Sequence, residues 1–316
     1  MKKIATLLAA ALTLGLGATS CLSDPKSSQE NTYTYGASSA FNRVVDRETG
    51  EATISINPNY KMVYSVDNYS DKGQVSVDMS NIQLGISGLT FRLNSLPFSY
   101  DPMTASYVTT ATDITPAVNP GGYVFDKFEM KNILGRVIEN QLAPVFTIRF
   151  SVNDRYDVTV MPAEVILVGN IHAVSRNAET DNKGYDTKNS IISIKVNTVK
   201  MLADVLIARA QFSQSMPQTD LLATELPVTT NNDGYTISLP EGKDKVPLKY
   251  NNNKEMEDCW LSGFSLSYNI PTGATTLKGT YTLKGRGTDA DKTEVYDVDA
   301  DAGYLFKVEE TDKTGK

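Results

Sequence analysis

Few residues in this chain have the type and spacing that chemistry requires. His172, in VGNIHAVSRN, is the single histidine, so a histidine triad or imidazole-ligated metal would have to use it and a two-histidine metal motif is impossible. At the end of a strand pattern such a residue is most simply a hydrogen-bonded histidine; a general base is the sharper alternative. No GxSxG elbow occurs, and the nearest run, GFSLS from Gly263, lacks the second glycine. Gly285, Arg286 and Gly287 lie in LKGRGTD between two strand patterns rather than before a helix, which marks a turn and not a phosphate loop. The expectation is a non-enzymatic protein with no catalytic residue and no cofactor.

Carboxylates are the remaining resource. Asp289, Asp291, Glu294, Asp297, Asp299 and Asp301 crowd into TDADKTEVYDVDADAGY. Calcium favours several oxygen ligands, which makes Asp297, Asp299 and Asp301 a weak candidate calcium site. Counted from Asp297, however, Gly303 falls at the seventh place rather than the sixth, and Val308 stands where a bidentate Glu is needed. Alternation supplies the other reading, with Asp297 and Asp299 on a solvated strand face and Tyr296 and Val298 on the opposite one. A glycosidase needs two opposed carboxylates, but 37 acidic residues offer too many pairs for any to be nominated.

Aromatic rings offer binding rather than catalysis. The chain has 16 Tyr, 10 Phe and one Trp, Trp260; exposed rings on a sheet could stack on sugars or anchor a protein partner, whereas most strand tyrosines are simply half-buried. Cys259, beside Trp260 in EMEDCWLSGF, fits a small buried strand residue, because a nucleophilic thiol would need a nearby base.

The elements that must position these residues are strands. KMVYSVDNY, QVSVDMSNI, FTIRFSV, DVTVMP, EVILVG, IISIKV, YTISL and TTLKGTYTL alternate apolar with polar residues. Turn signals separate them at Thr49-Gly50, Asn153-Asp154, Asn182-Lys183-Gly184 and Asp233-Gly234. Val199 to Gln214 is ambiguous, since its Leu, Ala and Met content also suits a helix. Ordered echoes between the halves argue for a strand there: ISINPNYKM at Ile54 with ISIKVNTVKM at Ile192, VDMSNIQL at Val77 with VLIARAQF at Val205, LNSLPFSYD at Leu93 with ATELPVTTN at Ala223, FEMKNI at Phe128 with FSLSYNI at Phe264, and RYDVTV at Arg155 with VYDVDA at Val295. The fold class is therefore all-β, with two tandem β-sandwich or small β-barrel domains, an internal duplication, at 32–180 and 186–312. The polar stretch 177–189 is the expected junction.

The first residues carry an address. Lys2 and Lys3 precede an apolar stretch, Ile4 to Leu16, too short to span a bilayer, and Ala18-Thr19-Ser20 lead into Cys21. This resembles a bacterial lipoprotein precursor of the Bacteroidota type, as does the Asn, Tyr and Asp usage, although only the small size of the usual residues before the cysteine is kept. The resemblance implies removal of 1–20, lipidation of Cys21, a polar tether over 21–31 and an outer-membrane protein on either face; two acyl chains would hold it there. A lipidated Cys21 also leaves Cys259 without a disulfide partner. Loss of Lys2 and Lys3 lowers the 30 basic residues to 28 against 37 acidic, a net −9 that disfavours nucleic acid. The resulting expectation is a lipid-anchored protein that binds a ligand, glycan or protein partner. The alternative is a fimbrial-type subunit, freed for strand exchange by a trypsin-like cut after Arg43 or Arg47.

Overall fold

The computed structural model describes residues 30–67, 72–84, 87–101, 106–111, 117–118, 130–138, 145–177, 184–285 and 291–303. Every regular element among them is a strand, as the period of two predicts. In TTLKGTYTLK, for example, Thr275, Leu277, Gly279, Tyr281 and Leu283 are buried while Thr276 and Lys278 are exposed. The ambiguous segment is a strand over Leu202–Ala210, with Ala203, Val205, Ile207 and Ala210 buried. Burial against two flanking strands outweighs a helix preference of about 0.5 kcal/mol or less per residue.

The first sheet contains β1 (Glu30–Asp46), β2 (Ala52–Asp67), β3 (Lys72–Leu84), β4 (Ser87–Asp101), β5 (Ser106–Ala111), β6 (Ala117–Val118), β7 (Met130–Ile138), β8 (Val145–Val152) and β9 (Tyr156–Pro162). All pairings are antiparallel, and the order β1-β2-β3-β4-β5-β7-β8-β9 returns to β1, so eight strands close into a barrel with β6 beside β4. The second sheet contains β10 (Glu164–Ser175), β11 (Tyr185–Asn197), β12 (Leu202–Ala210), β13 (Thr219–Asn231), β14 (Gly234–Ser238), β15 (Lys245–Lys249), β16 (Glu255–Asn269), β17 (Thr275–Lys284) and β18 (Thr293–Gly303). It closes the same way, with β15 beside β13 and β16. Of the two architectures left open by the sequence, the chain adopts the barrel.

The barrels repeat one another strand for strand, β1 corresponding to β10 and so on to β9 and β18. Two of the sequence echoes hold residue by residue. Val77 pairs with Leu93 as Val205 pairs with Ala223, and Val75 with Leu96 as Ala203 with Leu226. Both β3 and β12 carry a bulge, at Asn81 (φ 56°) and Arg209 (φ 51°). Tyr156-Asp157-Val158 likewise matches Tyr296-Asp297-Val298 at the closing strand. The echo of Ile54 and Ile192 joins equivalent strands but opposite faces: Ile54 lies on the outer wall opposite Arg43, whereas Ile192 is fully buried.

The junction differs from the expected one. β10 pairs with β11 and β18, so the barrels divide at Ala163, between Pro162 and Glu164. The expected junction at 177–189 falls instead between β10 and β11 and runs into β11, two strands that pair within the second barrel; a polar connection between paired strands has the composition of a linker.

The second barrel is filled by side chains, as its strand number allows. Tyr235 and Tyr268 stack at 5.0 Å near one mouth. That mouth is covered by the outer wall of the first barrel: the Phe41 ring lies 5.2 Å from Tyr235, Tyr268 donates to Met161 Sδ at 3.3 Å, and Ile54 and Ile56 pack on the same cluster. Arg43 fixes the rim by bonding the Asn232 carbonyl and the Asp233 carboxylate, each at 2.8 Å. The opposite mouth is sealed by the β12–β13 connection, where Phe212 inserts beside Tyr281 and Tyr296 at 5.1 and 5.6 Å. Phe41→Ala should therefore destabilise the chain by about 3–5 kcal/mol, with loss of near-ultraviolet signal from the second-barrel tyrosines in denaturant melts.

Candidate functional site

The candidate calcium residues do not converge. Asp297, Asp299 and Asp301 point outward from β18 at alternate positions, and two of them face basic partners. Arg176 grips Asp297 through Nε and Nη2 at 2.7 and 2.6 Å, with Thr280 donating to the same carboxylate at 2.8 Å. Lys278 stands 3.3 Å from Asp299. Among the described residues no group of three or more His, Cys, Asp or Glu is placed to hold a metal ion.

The Arg176–Asp297 pair has a counterpart in the first barrel, where Arg47 grips Asp157 with Nε 2.8 Å from Oδ2. In each case the arginine N–H also donates 2.8 Å across the seam, to the Arg155 or Val295 carbonyl. Both pairs thus clasp the first strand of a barrel to its last. Beside the first clasp, Arg155 bonds Asp46 at 2.7 Å. The hydrogen bonds from Arg176 and Arg155 hold the carboxyls of Asp297 and Asp46 below the usual range.

His172 projects outward from β10, with Nδ1 2.7 Å from Asp186 and its ring occupying the space that a side chain on Gly184 would need. It bonds a carboxylate on the surface rather than a nucleophile. Register makes His172 the counterpart of Arg43, Asn170 that of Phe41 and Asp301 that of Met161. The wall that is apolar and covered on the first barrel is polar and exposed on the second. Cys259 is buried in β16 as expected, while Trp260 lies outside with the Lys245 ammonium 4.3 Å above its ring. Tyr60, Tyr156, Tyr235, Tyr268, Tyr281 and Tyr296 are core residues, not stacking faces. Cys21 lies outside the described residues.

One cluster was not singled out by the sequence. Asn42 lies on the inward face of β1, opposite Ser55 of β2 and Val160 of β9, and is fully buried. Its Nδ2 faces the Ser80 and Asn81 carbonyls at 3.0 and 3.1 Å and Ser55 Oγ at 3.4 Å. Ser80 Oγ donates to Asn57 Oδ1 and Ser55 Oγ to the Asn81 carbonyl, both at 2.8 Å. The β3 bulge turns these carbonyls inward, and Asn81 Nδ2 ties the bulge to the Ile56 carbonyl at 2.7 Å. The signal available beforehand was polar residues at inward positions of alternating strands, Asn42, Ser55 and Asn57, but the inward face could not be told from the outward one without the register.

No family model matches the chain, and no curated protein sequence matches it. Two crystal structures of the vaccine antigen transferrin-binding protein B from Haemophilus parasuis Hp5, both substituted variants, are similar to it at a distance. One aligns at 10% identity over 87% of this chain and 77% of its own, with a TM-score of 0.23. The other aligns at 8% identity over 86% and 76%, with a TM-score of 0.22. The barrel assignment rests on the strand pairings themselves.

A depressed carboxyl pKa contributes stability that is present above the unfolded value of about 3.9 and lost as pH falls through the folded one. Asp297→Asn should lower the melting temperature at pH 7, and its gap from wild type should close below about pH 4. Added calcium should leave the melting temperature of the wild type unchanged, as measured by calorimetry with and without chelator.

Proposed function

We propose that the chain is a lipid-anchored, non-catalytic binding protein of the outer membrane, held by Cys21 and presenting two barrels beyond a short tether. The observation that carries the binding reading is the hydrogen-bonded cluster around Asn42. Buried polar groups cost stability unless bonded, and the second barrel folds with an apolar residue at the matching position, so the polar interior is not a requirement of the fold. The anchor is supported by the lysines, the short apolar stretch and the small residues before Cys21. The chain length between Cys21 and the start of β1 suits a body kept close to a lipid surface.

The absence of a catalytic arrangement among the singled-out residues supports binding over turnover: His172 faces a carboxylate, and Asp297 and Asp157 are occupied by arginines. The fimbrial alternative has one favourable observation, the exposed position of Arg47 at the β1–β2 turn. Strand exchange would nonetheless require removal of β1, which is paired on both sides and carries Phe41 into the second core. The binding reading is the better supported.

Radiolabelled palmitate fed to cells producing the protein should label the wild type and not Cys21→Ala. An unlabelled wild type overturns the anchor. A heat-sensitive ladder of polymers on a gel, with loss of the segment before Arg47, would favour the fimbrial subunit instead.

A further inference from the structure

Strand β1 is longer than the seam that it closes. Of its 17 residues, β9 pairs only with Ala40–Asp46, whereas β2 pairs with it from Glu30, opposite Asp67, to Val45, opposite Ala52. β9 ends at Pro162, and the Ala163 N–H donates to the Ser39 carbonyl at 2.8 Å before the chain enters the second barrel. Beyond that bond β1 has a single strand neighbour among the described residues. Its register with β2 is regular from Glu30 to Tyr35, six consecutive pairs, and the irregularities are confined to Tyr35–Ala40. Backbone N–H and C=O groups in an antiparallel strand face alternate sides, so every second residue of this segment directs both groups away from β2.

Half-open strands elsewhere in the chain carry the devices by which sheets close their edges. β10 is free of β18 from Glu164 to Leu167, but Ile166 in that stretch is buried in the cluster that holds Phe41 and Met161, so the other barrel covers it. β15 meets β13 at the pair Leu222–Lys249; it is five residues long and carries Pro247, which has no N–H to offer. The β1 edge has neither device. From Asn31 to Asn42 the sequence NTYTYGASSAFN holds no charge and no proline, and its alternating threonine and tyrosine favour extended backbone.

We propose that the open edge of β1, Glu30–Tyr35, pairs antiparallel with the same segment of a second copy, joining two first barrels through one sheet. Such a pairing is isologous and closes at two copies. Centred between Thr32 and Tyr33, it sets Glu30 opposite Tyr35 and Asn31 opposite Thr34, so the one charged residue of the segment never faces itself. A strand with no charge to repel its own copy, and none to select a different partner, suits self-pairing. The contact does not depend on the lipid anchor. It is small, so the dimer forms in proportion to concentration.

Sedimentation of the full-length protein in detergent, from micromolar to millimolar, should show monomer passing into dimer and no larger species. Thr32→Pro and Tyr33→Pro remove neighbouring N–H groups, one directed at β2 and the other at the edge. The variant that keeps the wild-type melting temperature should dimerise about tenfold more weakly or worse, because each copy loses an edge hydrogen bond. Amide hydrogen exchange on the wild type needs no variant to fold: every second amide in Asn31–Tyr35 should slow as the dimer forms. A monomer at every concentration, a dimer unaffected by both substitutions, or dimerisation that leaves those amides unchanged would each overturn the edge pairing.

Discussion

Strand β1 has to satisfy two cores at once, and the rest of the architecture depends on that double duty. Its inward side chains, Ala40, Asn42 and Val44, fill the first barrel, and the outward Phe41 between them fills the mouth of the second. Because strand side chains alternate strictly, a slip of one residue would exchange the two sets and place an asparagine in the tyrosine cluster. The register is pinned on both flanks, by β2 and by β9, and by Arg43 on the rim of the neighbouring barrel. The register that closes the first barrel is therefore the same one that seats it on the second.

The strand content was legible because period-two burial is local: Leu277 and Tyr281 announce their face within one segment. The repeat was legible where bulge and register were both kept, as in β3–β4 and β12–β13. It misled where the inward face changed, since Ile54 and Ile192 look alike but one covers a neighbour and the other fills a core. The junction falls elsewhere than expected because a connection between paired strands and a linker share composition, and only the pairing of β10 with β11 and β18 separates them. The cluster around Asn42 was illegible for a related reason. Its members come from three strands and meet through backbone carbonyls that a left-handed residue turns inward, and no short window of sequence contains that geometry.

The halves also show how one backbone carries two chemistries. The interior that is apolar at Ile171 is polar at Asn42, and the seam clasp is conserved in form while its neighbours differ, Arg155 and Glu48 on one side and Thr280 on the other. Exposed ion pairs of this kind contribute little individually. Their value lies in fixing where the last strand meets the first, which leaves the lining free to differ.

A wall that seats on a mouth is a head-to-tail contact, and such contacts propagate without limit unless one end is made unfit. Here the unfit end is the outer face of the second barrel. Asn170 and Asp301 stand where Phe41 and Met161 stand on the first, so no further mouth can settle there without burying an acid in an aromatic cage. The same exchange of residues that removes the apolar plug therefore leaves the second barrel with a polar outer face where the first barrel has one shaped to cover a neighbour.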